Sequence, residues 1–77
     1  MIKKRIEYGS PLDALVALAK RLSLYEDHYR LVSEEFYDRF SKGRLDDSAD
    51  FVEWANDYEH FLSIRSEIEK NIRQNVA

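Results

Sequence analysis

The residues able to do chemistry in this chain are its two histidines and fifteen carboxylates, and their spacing decides whether they could hold a metal or move a proton. A dinuclear carboxylate site in a helix bundle needs Glu-x-x-His on two helices and a further carboxylate from each of two others. Only Asp57-Tyr58-Glu59-His60 approaches that pattern, and Glu26-Asp27-His28 has no matching spacing, so no metal is expected. The run Asp46-Asp47-Ser48-Ala49-Asp50 lacks the alternating ligands, internal glycine and distal bidentate glutamate of a calcium loop, and helix capping accounts for it better. Serine, histidine and aspartate all occur, yet there is no Gly-x-Ser-x-Gly elbow, no glycine-rich phosphate loop and no Walker pattern. Cysteine is missing, which excludes thiolate nucleophiles, Cys-ligated zinc and disulfides. No catalytic residue, metal or cofactor is assigned, and the chain is not expected to be an enzyme.

The elements that must position these groups are written more sharply than any chemistry. Ser10-Pro11-Leu12-Asp13 is a helix start: serine as N-cap, proline at the first position where its missing N–H is harmless, and aspartate favourable to the dipole. Leu12, Leu15, Val16, Ala19, Leu22, Tyr25 and Tyr29 then recur three and four apart, which predicts an inward stripe on a helix over 11–29, widened by Leu18 and Leu24. Ser33 is placed to cap a second helix over 34–42, with Glu34 and Glu35 in its first turn, Phe36, Tyr37 and Phe40 as its apolar side, and Gly43 as its left-handed stop. Asp46, Asp47 and Ser48 offer alternative caps for a third helix over 48–73, whose stripe is Phe51, Trp54, Ala55, Tyr58 and Leu62.

The expected fold is therefore all-α, a single three-helix domain over 1–77, with long first and third helices antiparallel, a short second helix bridging them, and residues 1–9 as a tail. Phe51, Trp54, Tyr58 and Leu62 are expected to bury against Leu15, Val16, Ala19 and Leu22. The third helix outruns the first, so Phe61, Ile64, Ile68, Ile72 and Val76 are expected to extend in part beyond the intramolecular core.

Charge is segregated along the chain. Residues 1–25 hold five Lys/Arg against two acids, residues 26–59 four against eleven, and residues 60–77 three against two, so the middle third carries a net −7. That field disfavours nucleic acid and suits a basic partner. A helix-turn-helix reader is also disfavoured, because a recognition helix beginning Asp-Asp-Ser-Ala-Asp would turn its acids to phosphates. No window approaches the roughly 18 apolar residues a membrane span requires, the N-terminus has no apolar signal core, and a cytoplasmic location is expected. Glu53 and Asp57 are like charges one turn apart, which is unfavourable unless a cation from a neighbouring helix or a basic partner offsets them. With Phe61, Ile64, Ile68 and Ile72 they form the expected partner-binding surface, and a homodimer through the long third helix is the alternative use of it.

One stretch carries a likeness beyond periodicity. Tyr29 to Glu59, with Ser33-x-Glu35-Phe36-Tyr37-x-x-Phe40 followed by Gly43-x-Leu45-x-Asp47-Ser48-x-Asp50-Phe51-x-Glu53-Trp54-Ala55, resembles a group of short prokaryotic antitoxin-like proteins often encoded beside a small toxin-like protein; it covers about 40% of the chain. The resemblance implies a toxin-neutralising partner protein, commonly facing an RNase-like toxin, and no activity of the chain's own. Two positions depart from it: Arg30 where such proteins often have glycine after the tyrosine, and Asp46 where a second glycine is common.

Overall fold

A computed structural model describes the backbone of residues 10–76 and the side chains of residues 10–73; the expected tail over 1–9 lies outside the described residues. Three helices follow in order, α1 Pro11–Tyr29, α2 Ser33–Ser41 and α3 Ala49–Val76, with no strand among the described residues. This is the all-α domain of two long helices and one short one that the periodicity predicts.

The helix boundaries follow from local chemistry. Ser10 is extended and its Oγ accepts from the Asp13 N–H at 3.2 Å, with Pro11 behind it. Of the candidate caps before α3, Ser48 serves, its Oγ accepting from the Phe51 N–H at 3.3 Å, while Asp46 accepts from the Ser48 N–H at 3.0 Å and fixes the preceding turn. Gly43 sits at φ +73°, its N–H donating to the Phe40 carbonyl at 3.0 Å and that of Arg44 to the Arg39 carbonyl at 3.0 Å, the paired bonds of a Schellman stop. A Cβ there would meet nothing within 4 Å, so the requirement for glycine is conformational and not steric crowding.

Arg30 closes α1 in the same left-handed region, at φ 56°, and is the only non-glycine residue described with positive φ. A backbone in this region suits glycine better than arginine. A left-handed L-residue costs roughly 1–2 kcal/mol, of which glycine's freedom in the unfolded chain returns part. Arg30→Gly should raise stability by about 1 kcal/mol, read as a higher urea midpoint at unchanged slope; a lower midpoint would show that the arginine side chain contributes more than its backbone strain costs.

Two expectations about the core are corrected. Ser33 does not cap α2: Val32 precedes the helix without a side-chain cap, and Ser33 is its first residue, buried, with its N–H donating to Glu26 Oε2 at 2.8 Å. A carboxylate from the end of α1 thus takes over the capping, and the serine hydroxyl is freed to accept from Trp54 Nε1 at 2.9 Å. The inward stripe of α1 is also rotated from the expected one. Ala14, Leu18 and Leu22 are buried, whereas Leu12, Val16 and Ala19 are exposed and Leu15 only half-buried.

The core has two parts. At one end Leu22, Phe36, Trp54 and Ala55 are buried, with Tyr25, Tyr29, Phe51 and Tyr58 packed on them; Trp54 is 0% exposed, stacked on Phe36 at 3.8 Å between ring centres and flanked by Tyr25 and Tyr29 at 5.4 and 5.6 Å. At the other end Ala14, Leu18 and Ile64 are buried, with Leu15, Phe61 and Ile68 against them. Phe61 belongs to both, and Leu62, expected in the central stripe, is half-buried outside either cluster.

Candidate functional site

The face where α1 meets the acids of α3 is a ladder. From the C-terminal end of α1 backwards, Tyr29 Oη donates to Asp50 at 2.6 Å, Tyr25 Oη to Glu53 at 3.3 Å and Arg21 Nε to Asp57 at 2.9 Å. Residues four apart on α1 meet residues three and four apart on α3 running the other way, which fixes the pair as antiparallel and sets its register. Tyr37 of α2 donates to Glu59 at 2.6 Å and ties α2 to α3 outside that row, since Glu59 follows Asp57 by two residues and lies on another side of the helix. The like charges Glu53 and Asp57 are therefore offset within the chain. Asp57 keeps a side-chain exposure of 14% against Arg21, and that hydrogen bond and charge raise the Arg21 pKa.

Tyr25 and Tyr29 of the ladder, and Tyr37 of α2, hold their protons more tightly than usual. Burial raises the pKa of Tyr25, with Glu53 adding to it, while hydrogen bonds to Asp50 and Glu59 are the main causes for Tyr29 and Tyr37. A pKa raised on folding stabilises the native state fully below the unfolded value, about 10 for tyrosine, and that stabilisation is lost as pH rises through the folded values. The tyrosine contribution should accordingly be constant through neutral pH and fall above about pH 10. Urea midpoints at successive pH values should show a drop on the alkaline side that is smaller in the Tyr25→Phe, Tyr29→Phe double variant; an equal drop in both proteins would remove the ladder as its cause.

Of the apolar candidates, expected to extend in part beyond the intramolecular core, most pack inside it. Ile64 is buried against Ala14 and Leu18, Ile68 packs on the same cluster, and Phe61 joins the two cores with the Arg65 guanidinium 5.8 Å from its ring centre. Only Ile72 among the described ones lies past the start of α1, 56% exposed. Val76 is backbone only, its side chain outside the described residues. The six candidate partner residues are thus not one surface: Glu53 and Asp57 belong to the ladder, three apolar residues to the core, and Ile72 stands free at the far end of α3. Sequence reasoning missed Arg21, Tyr25 and Tyr29 as the partners of the acids. The signal was present in their four-residue spacing opposite Asp57, Glu53 and Asp50 once the helices are placed antiparallel.

Among the described residues no three His, Cys, Asp or Glu side chains gather in metal-binding geometry, and no helix is long and apolar enough to cross a membrane. His28 packs edge-on against Tyr29, and His60 is exposed. The depression beside Arg21, Leu24 and Tyr25 is shallow, and its one charged group is held by Asp57.

What the fold does create is an electrostatic end. The C-terminal turns of α1, all of α2 and the first half of α3 meet at one end of the hairpin, because Tyr29 contacts Phe51, Phe36 contacts Trp54 and Tyr37 contacts Tyr58. Residues 26–59, which hold eleven acids and four Lys/Arg, are therefore adjacent in space as well as in sequence. Glu34, Asp46 and Asp47 are exposed there, whereas Glu35 and Asp38 are paired along α2 with Arg39 and Lys42 at 2.7 and 3.1 Å. No protein-family model matches the chain, and neither a curated protein nor a solved structure is significantly similar to it.

Proposed function

We propose that this chain is a non-enzymatic, antitoxin-like binding protein that neutralises a cognate basic toxin of the RNase type by masking its surface. The observation that carries this reading is the gathering of the net −7 of residues 26–59 at one end of a rigid aromatic core, a field that would steer a basic surface toward it. The basic residues with which an RNase holds RNA phosphates are the complementary target, and covering them stops the toxin without any chemistry from this chain. The resemblance in Tyr29–Glu59 lies in that same end and supplies the partner class. A homo-oligomer built on α3 has less to stand on, since Phe61, Ile64 and Ile68 are spent inside the domain.

The acids that test this are those free of internal duties. Glu53→Lys or Asp57→Lys would break contacts to Tyr25 and Arg21 and confuse binding with folding. Glu34→Lys with Asp47→Lys changes exposed positions and leaves the core intact. Against a toxin-like protein encoded beside this chain, surface plasmon resonance should show slower association for this variant, with a larger loss at low salt than at high and unchanged helicity. Wild-type kinetics in the variant, or no binding of the neighbour by the wild-type chain, would overturn the reading.

A further inference from the structure

α1 carries two apolar stripes, and the fold uses one of them. Beside the buried Ala14, Leu18 and Leu22 run Leu12, Val16, Ala19 and Ser23, at the four-three-four spacing of a helix–helix seam. All four are exposed, Leu12 at 58% and Val16 at 49%. Asp13 and Lys20, also exposed, each directly follow a stripe residue and so share one border of it.

We propose that this stripe pairs with itself in a second copy of the chain, α1 against α1, antiparallel about a twofold axis between Ala17 and Leu18. In that register Leu12 falls opposite Ser23 of the second copy and Val16 opposite Ala19, a large residue against a small one in every layer, so the two helices can approach closely. Asp13 of each copy then lies beside Lys20 of the other, offset by about 3 Å along the axis. A parallel pair would set Leu12 on Leu12 and Ser23 on Ser23, large on large and small on small, and would carry the Asp13 and Lys20 borders of the two copies to opposite sides of the seam, where they cannot pair. Both the size pattern and the sign pattern are self-complementary in one orientation only, which is the reason for assigning a second copy to this face. The same orientation points the two acidic ends away from each other. The seam is three turns of one helix, below the roughly 1,200 Å² of a standard interface, so the dimer is a weak, concentration-dependent one. It leaves the acidic end uncovered and does not depend on what that end binds.

Sedimentation equilibrium of the full chain over a concentration series tests this. The mass should rise from one chain to two, and Leu12→Ser with Val16→Ser should hold it at one chain at every concentration with unchanged far-UV circular dichroism. Asp13→Lys or Lys20→Asp alone should weaken association about tenfold, since each places like charges at two symmetric contacts, and the two combined should restore it. Circular dichroism on each charge variant separates lost pairing from a damaged helix start, and Lys20→Asp, in mid-helix, is the single change least exposed to that ambiguity. A wild-type chain that stays monomeric throughout, a dimer that survives the serine changes, or a double reversal as weak as either single one would overturn the pairing.

Discussion

Trp54→Ala should leave this chain unfolded or nearly so at room temperature. Trp54 is fully buried, stacked face to face on Phe36 and walled by Tyr25, Tyr29 and Phe51, so its removal opens a cavity where all three helices meet. Large-to-small changes of an aromatic in a core cost about 3–5 kcal/mol, and a lone core in a chain of this size supplies a similar amount. The surrounding rings are held by one another and by hydrogen bonds to Asp50 and Glu53, which limits how far they can collapse into the space. Val52→Ala, on the same helix but 40% exposed, should stay within about 0.5 kcal/mol of wild type and serves as the control. Both are read by thermal melting followed at the helical circular dichroism band. A Trp54→Ala protein that melts cooperatively at the wild-type temperature would mean that the aromatic stack does not hold the helices together.

The second large effect is polar. Ser33→Ala should destabilise by about 1–3 kcal/mol although it deletes a single oxygen, because it leaves the Trp54 indole N–H buried with no acceptor. The indole is 0% and Ser33 2% exposed, so water cannot substitute without opening the core. A double-mutant cycle isolates the bond: in a Trp54→Phe background, which has no N–H to satisfy, Ser33→Ala should cost only a few tenths of a kcal/mol. Equal costs in the two backgrounds, measured from urea midpoints, would assign the serine's effect to helix propensity or packing instead.

These two residues also mark where the sequence is legible and where it is not. Trp54 reads as core from spacing alone, since Phe51, Trp54, Ala55 and Tyr58 can share a face only on one helix. Ser33 reads as an N-cap, and that reading fails because a better-placed acceptor, Glu26, arrives from a different helix. The left-handed backbone of Arg30 has no signature in the residue type, and it shows only in the folded chain.

Helix number and type, and the boundaries other than the start of α2, were determined locally. Ser10-Pro11, Ser48 and Gly43 act on backbone groups within a few residues of themselves, so no distant contact can overrule them easily. The face of α1 that turns inward was not determined locally, because its apolar residues make two adjacent stripes of similar strength. Tertiary structure chose between them: stacking Tyr25 and Tyr29 on Trp54 and drawing Arg21 to Asp57 rotates Ala14 and Leu18 inward and leaves Leu12 and Val16 outside. The same rotation turned Glu53 and Asp57 from unpartnered acids into rungs of the α1–α3 contact, and brought Ile64 and Ile68 under α1. Periodicity fixes which side chains lie together on one helix, but the energy that selects a face comes from the partner helix, and that partner is known only once the chain has folded.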